Sequence, residues 1–317
     1  MKVSLDERGF AVALASELDL AMAEWLLDLE ASGLSARTVR HYGWHAQKLV
    51  DWLQARGIAA LVGVKRRVLR EWSIEIRRQW APATCKQAIA AAKSFFRWCC
   101  RENLTRKDLG KKLALPRVQR RVQRVVAPDE VRALLAACPD TRKGVRDRAI
   151  ISLLFDTGLR AAELCRLTDN KIDLVSRSLA VVVKGGDEKP RWFGETTVRY
   201  LLAWGELRGG LARPGVAELF VSTGGIRPGT ALTVRGLGIL FKNLSRQAGI
   251  AHLSPHAFRR GFAVDNVEAG ASDDLVMKWG GWQSARTFRG YTATVRAGKV
   301  YPKFSPMDRL DKHNEQT

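Results

Sequence analysis

The first third of the chain carries apolar positions at helical spacing. One stripe lies at positions 18, 22, 25 and 29, and Gly33 follows it as a stop signal. Intervals of three and four residues place side chains on one face of a helix, and glycine commonly ends one. Three more stripes follow at 39–53, 69–80 and 82–98. The pattern predicts four amphipathic helices that form a small all-α domain.

The rest of the chain combines further helical stripes with one strand-like stretch. SLAVVV at 178–183 is β-branched and apolar, GGDE follows as a turn, and PRWF returns, which predicts a β-hairpin. A short strand is also predicted at LFVS, 219–222. Helices are predicted at 146–156, 196–208 and 233–248, with others opening near 128, 160 and 255. We therefore predict a mainly α fold, whose second domain is mostly helical and holds a small antiparallel β-sheet.

Charge changes this picture from a plain helical protein to one with a polyanionic partner. The chain has 53 Lys and Arg against 32 Asp and Glu, a formal charge of +21. Nucleic acid fits this excess better than an anionic membrane surface does. No apolar run reaches the length of a membrane-spanning helix, and the first ten residues do not resemble a signal peptide. Five cysteines without paired C-x-x-C spacing indicate buried free thiols in a reducing cytoplasm, and no zinc site.

A basic stretch separates the two regions. Residues 106–127 read RKDLGKKLALPRVQRRVQRVVA, with Gly110 and Pro116 as interruptions and only scattered apolar positions. We interpret it as an interdomain linker lying along DNA, with an ordinary charged loop as the alternative. We predict that the chain has five parts: an extension at 1–12, an all-α domain at 13–105, the linker at 106–127, a second domain at 128–302 and a tail at 303–317.

Candidate chemistry concentrates near residue 256. Ser254 and Pro255 predict an N-cap and a first helical turn, which puts His256 and Arg259 one turn apart on one face. Two forked, permanently charged guanidiniums neutralise the non-bridging oxygens of a phosphodiester better than lysines do. Arg259 supplies one of them, and Arg160, near the start of a predicted helix, is the candidate for the second.

Attack at phosphorus also needs a nucleophile and groups that carry protons. Tyr291 can attack, but its hydroxyl has an ordinary pKa of about 10 and needs a base or a cationic pocket nearby. His256 is a plausible acceptor for that proton. A leaving 5′-oxygen needs a proton donor, for which Lys184 at the hairpin tip is preferred and Lys189 in the same turn is the second candidate.

The order of these groups resembles that of the tyrosine recombinases of the phage integrase family. TGLRAAEL at 157–164 resembles the family's first-arginine box, and VKGGDEKPR at 183–191 resembles its hairpin-lysine segment. HAFRRGFA at 256–263 and GGW at 280–282 match the two later boxes, and Tyr291 follows nine residues after the second. The likeness runs from about residue 13 to 302, and the four amino-terminal helices resemble the SAM-like core-binding domain.

The resemblance implies roles for individual residues. The implied catalytic set is Arg160, Lys184, His256, Arg259, Trp282 and Tyr291, with Glu163 as a supporting acid. Trp282 stands where many relatives have histidine, and its indole donates a hydrogen bond without transferring a proton. We expect it to pack against Tyr291, so that His256 and Lys184 carry the protons. Arg260 replaces a histidine common in the family, at a peripheral position.

The family further implies a DNA breaking-rejoining fold and a cut-and-religate reaction through a 3′-phosphotyrosyl link, with no metal and no cofactor. The implied partner is double-stranded DNA with short inverted-repeat core sites, bound by a homotetramer on two sites. Candidate DNA contacts outside the site are Arg37, Arg40, Lys86, Lys93, Arg117, Arg120, Arg121 and Arg124. The tail at 303–317 resembles a segment that docks on a neighbouring subunit, and packing on its own domain is an equal alternative.

Two rival functions remain open at this stage. One is a catalytically silent DNA-binding protein of the same fold, which the complete set of catalytic side chains disfavours. The other is a type IB topoisomerase, which relaxes supercoils with the same chemistry, and which the core-binding domain disfavours.

Overall fold

A computed structural model describes residues 15–118, 124–182 and 186–293, together with the backbone of 3–5 and 11–13. The chain divides into two compact units, an amino-terminal unit of residues 1–121 and a carboxy-terminal unit of residues 122–317.

The amino-terminal unit confirms the four predicted helices. They are α1 (Glu17–Ala31), α2 (Ala36–Gln54), α3 (Arg66–Gln79) and α4 (Pro82–Arg101), with a short 3-10 helix at Leu61–Gly63. Before them lies a small antiparallel pair that the sequence did not predict, β1 (Val3–Leu5) and β2 (Ala11–Ala13). Ser16 caps α1 by accepting a hydrogen bond from the backbone N–H of Asp19. Trp25, Trp72 and Phe95 are almost fully buried in the core, as the apolar stripes indicated.

The two ends of the predicted linker pack on the unit that is nearer in sequence. Leu113 is buried in the amino-terminal core, and Lys93 donates hydrogen bonds to the carbonyls of Lys111 and Leu113, both at 3.0 Å. At the other end the backbone N–H of Val126 donates to the carbonyl of Ala257 at 3.3 Å.

The carboxy-terminal unit is mostly helical around a small sheet. Its helices are α5 (Pro128–Ala136), α6 (Arg142–Thr157), α7 (Ala161–Arg166), α8 (Glu195–Arg208), α9 (Val234–Gln247), α10 (Pro255–Ala269), α11 (Asp273–Gly280) and α12 (Ala285–Thr292). The antiparallel sheet has the order β3 (Ile172–Asp173), β4 (Ser178–Val182) and β5 (Glu188–Trp192). The predicted hairpin is thus confirmed as β4 and β5, and the two-residue β3 was not foreseen.

The predicted strand at 219–222 is wrong. Val221 forms only one isolated bridge, to Ala231, and Glu218 forms another, to Thr168. Phe220 and Val221 are buried nonetheless, so an apolar run that looks like a strand is here an irregular segment of the core. The backbone of Phe220 and Ser222 exchanges hydrogen bonds with Leu232 and Thr230, but this pairing is too short to form a strand. An apolar run that is buried with so little pairing has the same sequence pattern as a strand.

Helix α6 lies at the centre of this unit and ends beside the candidate site. Six of its residues have no exposed surface, among them the large apolar Ile150, Ile151, Leu153 and Leu154. The helix packs against α5, α8 and α10. It ends at Gly158, whose φ of 60° is the left-handed conformation in which glycine commonly ends a helix.

Candidate active site

The turn after α6 places Arg160 at the N-cap position of α7. The carboxylate of Glu163 accepts two hydrogen bonds from this residue, one from its backbone N–H at 2.8 Å and one from Nη1 at 2.6 Å. The Arg160 side chain stays 47% exposed, while that of Glu163 is 11% exposed. A mostly buried carboxylate therefore fixes the direction of a guanidinium that still reaches solvent.

Helix α10 presents His256 and Arg259 in two different environments. Pro255 occupies the first turn, where its missing N–H is not needed, but Ser254 makes no side-chain capping bond to any described residue. His256 is exposed, whereas Arg259 is 1% exposed. The two residues are one turn apart as predicted, yet the histidine faces outwards and the arginine reaches into the protein.

Arg259 is held by one carbonyl and one aromatic ring. Its Nη1 donates to the carbonyl of Gly158 at 2.6 Å, and its Cζ lies 3.9 Å from the ring centroid of Trp282. Its Nη2 is buried and has no hydrogen-bond partner within the described residues. Burial, and then the charge of Arg160, lowers the pKa of Arg259 to about 10, so the guanidinium remains charged at neutral pH.

Tyr291 comes from α12 and meets His256. The Tyr291 hydroxyl oxygen and His256 Nε2 are 3.1 Å apart, and their rings meet edge to face. Desolvation is the main cause that lowers the pKa of His256 below its ordinary 6.5, and the charges of Arg260, Arg259 and Arg160 add to it. The imidazole is therefore neutral at pH 7 and can take a proton from the hydroxyl.

Trp282 forms the wall between Arg259 and Tyr291. It is 7% exposed, and its ring centroid lies 6.0 Å from that of Tyr291. Phe262 and Phe288 pack on it from other directions. Its Nε1 is a further buried donor for which the described part of the chain provides no acceptor.

Several predicted residues lie outside this cluster or outside the described residues. The segment 183–185, which contains Lys184, is not among the described residues, nor are Arg120, Arg121 and the tail. Lys189 is exposed on β5, paired in register with Val181. Lys189, the second candidate for the proton donor, therefore has a described position on the hairpin. The role of Lys184, the preferred candidate, stays a prediction.

The candidate DNA contacts differ in how their charges are used. Exposed side chains are those of Arg37, Arg40, Lys86 and Arg117. Lys93 donates to the two carbonyls already described, and Arg124 forms an ion pair with Glu130 and donates to the carbonyl of His252. The ammonium group of Lys93 and the guanidinium of Arg124 therefore each have partners within the protein.

Sequence reasoning missed Arg191, on β5. Its side chain is 1% exposed, and Nη1 donates to the carbonyl of the preceding Pro190 at 2.6 Å. Nε and Nη2 are buried with no hydrogen-bond partner in the described ranges. The signal was present in PRWF, where the strand turns an arginine inwards and leaves Trp192 44% exposed, the reverse of the usual alternation.

The charges around the site act on one another. The charge of Arg160 lowers the pKa values of His256, Arg259 and Arg191, while the carboxylate of Glu163 raises those of the two buried arginines. Cations thus outnumber the single carboxylate, and a site of this kind favours an anion. No group of three or more His, Cys, Asp or Glu side chains among the described residues could hold a metal ion.

None of the described helices is both long and apolar enough to cross a bilayer.

Comparison with known proteins extends over both units. Residues 124–297 match the phage integrase family, and residues 22–103 match the phage integrase N-terminal SAM-like domain. The tyrosine recombinase XerC of Xanthomonas campestris is 29% identical over 286 residues, covering 89% of this chain and 87% of that protein. XerC of Roseiflexus castenholzii is 27% identical over 288 residues, covering 89% and 90%.

Solved structures share the fold at low sequence identity. The XerH site-specific recombinase in a post-cleavage complex with a palindromic difH substrate has a TM-score of 0.76 and 16% identity, and covers 97% of this chain and all of that one. The Tn1549 transposon integrase in complex with circular intermediate DNA has a TM-score of 0.69 and 18% identity, covering 90% and 99%. The family match spans more than half of the chain, which therefore belongs to the phage integrase family, the tyrosine recombinases that transfer DNA strands.

Proposed function

We propose that this protein is a site-specific recombinase that cuts and rejoins double-stranded DNA through a 3′-phosphotyrosyl intermediate. The observation that carries the proposal is the 3.1 Å approach of the Tyr291 hydroxyl to His256 Nε2, beside a buried guanidinium. A nucleophile within hydrogen-bond distance of a neutral base is the arrangement that covalent catalysis requires. Two nearby donors that have no partner among the described residues, Arg259 Nη2 and Trp282 Nε1, suit the oxygens of a phosphodiester.

In the first step the Tyr291 oxygen attacks the scissile phosphorus and its proton passes to His256 Nε2. The new bond joins phosphorus to the tyrosyl oxygen, and the bond from phosphorus to the 5′-oxygen breaks. Arg160 and Arg259 stabilise the non-bridging oxygens, whose negative charge increases in the five-coordinate transition state. Glu163 keeps Arg160 directed at them through its two hydrogen bonds.

The leaving 5′-oxygen takes up a proton, for which Lys184 is the proposed donor. A 5′-hydroxyl of the partner duplex then attacks the phosphotyrosyl phosphorus and gives its proton to the neutral amine of Lys184. The bond from phosphorus to the Tyr291 oxygen breaks as His256 returns its proton to that oxygen, which restores a phosphodiester. Each step exchanges one phosphate ester for another, so the reaction needs no external energy source.

The proposal also assigns roles to the domains, the DNA and the number of subunits. The core-binding domain at 13–105, the linker at 106–127 and the catalytic domain at 128–302 together hold the duplex. The DNA carries short inverted-repeat core sites, and four subunits act on two such sites. The complexes of XerH and of the Tn1549 integrase with DNA support the choice of partner. We place the protein on DNA in the cytoplasm.

The test uses a nicked DNA substrate. Inverted repeats in DNA flanking the coding sequence supply the site, and a nick a few nucleotides 3′ of the cleavage point lets the short 5′-hydroxyl fragment diffuse away. The wild-type protein is expected to accumulate a covalent complex on denaturing gels. Tyr291→Phe is expected to bind the same DNA and to form none.

The matched control is Tyr200→Phe, which removes a half-buried hydroxyl of α8 outside the site. It should form the complex at the wild-type rate. A covalent complex in Tyr291→Phe would overturn the nucleophile assignment. Binding by the wild type without a covalent complex would favour the catalytically silent protein, and relaxation of supercoils without strand exchange would favour the topoisomerase.

A further inference from the structure

We propose that Arg191 is a third cation of the phosphodiester pocket, a buried guanidinium whose charge stabilises the attacked phosphate from beneath the site. The inference rests on the proposed function and extends it to a residue outside the set that the sequence motifs indicated.

The first observation is the position of Arg191 in the sheet. It stands opposite Leu179 in the register of β4 and β5, and Leu179 is 2% exposed. Directly opposite residues of an antiparallel pair point to the same face, so this position belongs to the apolar face. Trp192 and Pro190, its neighbours in β5, are both exposed. Folding alone would favour an aliphatic side chain here and a polar one at 192.

The second observation is that the protein leaves this cation without adequate partners. Nη1 donates to the carbonyl of the adjacent Pro190, while Nε and Nη2 have no partner anywhere in the described chain. Desolvation is the main cause that lowers the pKa of Arg191. A buried charge without a bound counter-ion destabilises the folded state, so its presence indicates a use other than stability.

The third observation is its neighbourhood. A Cβ atom added at Gly281 would lie 1.9 Å from Arg191 Nη2, so the guanidinium occupies the space above that glycine. Gly281 immediately precedes Trp282, which carries Arg259 on its ring. The charge of Arg191 also lowers the pKa of Arg259. Arg191 therefore lies next to the same wall of the site that holds the second catalytic arginine.

The charge count of the site fits the chemistry of the transition state. A phosphodiester carries one negative charge, and attack by a tyrosyl oxygen that has lost its proton produces a five-coordinate phosphorus with two. Arg160, Arg191 and Arg259 offset the one carboxylate of Glu163 and leave a surplus of two positive charges. Arg191 adds one positive charge to those of the other arginines, of His256 once it has taken the proton, and of the proposed Lys184. A further positive charge stabilises the doubly negative transition state more than the singly negative ground state, which is what accelerates a reaction.

The primary test replaces Arg191 by methionine, which has a similar shape and no charge. The melting temperature of Arg191→Met is expected to equal or exceed that of the wild type, because an unpaired buried cation is removed. Its rate of covalent complex formation on the nicked substrate is expected to fall by about tenfold or more, the scale on which charge-stabilising groups act. Arg191→Lys, which keeps the charge, should recover much of the rate.

A substrate with an uncharged scissile linkage separates charge from shape. A methylphosphonate at that position lacks one of the two negative charges of the transition state. The ratio of the wild-type rate to the Arg191→Met rate should therefore be several-fold smaller on the methylphosphonate than on the phosphodiester. The matched control is Arg208→Met, since the Arg208 donors go to the carbonyls of Val216 and Glu218. It should melt lower and show the same rate ratio on both linkages.

Each result decides the matter. The role of Arg191 is overturned if Arg191→Met fails to fold, melts lower than the wild type or cleaves at the wild-type rate. It is also overturned if the cleavage rate falls by the same factor on both linkages. Absence of a covalent complex in the wild type, or its persistence in Tyr291→Phe, overturns the proposed function instead.

Discussion

His256 Nε2 lies 3.1 Å from the hydroxyl oxygen of Tyr291, across a span of 35 residues in sequence. The proposed nucleophile and the proposed base are thus within hydrogen-bond distance in the absence of DNA. The hydroxyl can donate to Nε2 only while that atom carries no proton, so the protonation state of the imidazole controls the first step.

The pH dependence of cleavage follows from this contact. Desolvation and three arginine charges lower the pKa of His256, so its neutral form persists to a lower pH than that of an ordinary histidine. We expect the rate of covalent complex formation to fall with decreasing pH only below about 6.5. Single-turnover rates and the ring-proton NMR signals of His256, assigned with His256→Gln, measure the midpoint. His252→Gln serves as the control, and a midpoint above 6.5 would contradict the assigned cause.

Glu163 should control the direction of Arg160. In Glu163→Gln the carboxylate charge is lost and the bond from Arg160 Nη1 becomes weaker, since charge-assisted hydrogen bonds are the stronger kind. We expect covalent complex formation to slow by about tenfold, which corresponds to about 1.4 kcal/mol. DNA affinity and melting temperature should change little. Glu195→Gln, in the exposed first turn of α8, is the control, and equal rates in both variants would refute the role.

We expect the ring of Trp282 to contribute to stability and its N–H to contribute to the rate of cleavage. Trp282→Phe retains an aromatic ring between Arg259 and Tyr291 but lacks Nε1, so we expect cleavage to slow by about tenfold. Trp282→Ala should also lower the free energy of unfolding by about 3–5 kcal/mol through the cavity it leaves. Chemical denaturation and cleavage assays measure the two effects. Trp204→Phe, in the core of the same unit, should leave the cleavage rate unchanged. Slow cleavage by Trp204→Phe would show that the lower rate of Trp282→Phe is not specific to the site.

Arg146 is another buried arginine, and we expect its replacement to change stability in the opposite direction from that of Arg191. Arg146 donates from Nε and Nη2 to Asp147 Oδ1, at 2.9 and 2.6 Å, and Asp147 has no exposed surface. Arg146→Met should lower the free energy of unfolding by about 3–5 kcal/mol, because it leaves the carboxylate buried and unpaired. Calorimetry of Arg146→Met, with Arg146→Met/Asp147→Leu as the partner-free comparison, checks this. The double variant should regain most of the loss, and failure to do so would show that the carboxylate is not the cause.

The parts of the fold that the sequence could predict are those with a repeated pattern. The four amino-terminal helices and the β4–β5 hairpin follow from apolar spacing and from a run of β-branched residues. The irregular segment around Phe220 could not be told from a strand, because apolar composition reports burial and not pairing. The two residues of β3 are too few to show any alternation.

The candidate site shows the same limit at the level of single residues. Spacing put His256 and Arg259 on one helix face, but only packing makes one exposed and the other buried. Arg191 does not stand out in the sequence, because an arginine in a hairpin usually faces solvent. Its burial depends on the register with Leu179 and on the space that Gly281 leaves for its guanidinium, and no local pattern predicts either. Lys184 remains a prediction.

The bond from Arg259 Nη1 to Gly158 joins the phosphate pocket to the end of α6, the most deeply buried helix of its unit. Tyr291, the proposed nucleophile, lies on a less buried element, since α12 has eight residues and only Phe288 among them is buried. So short a helix has little stability of its own. We expect detachment of α12 to cost less free energy than displacement of Arg259, and slow hydrogen exchange to extend through α6 but not α12. We therefore expect that withdrawal of α12 alone would stop the proposed cleavage, while the surroundings of Arg259 stay assembled.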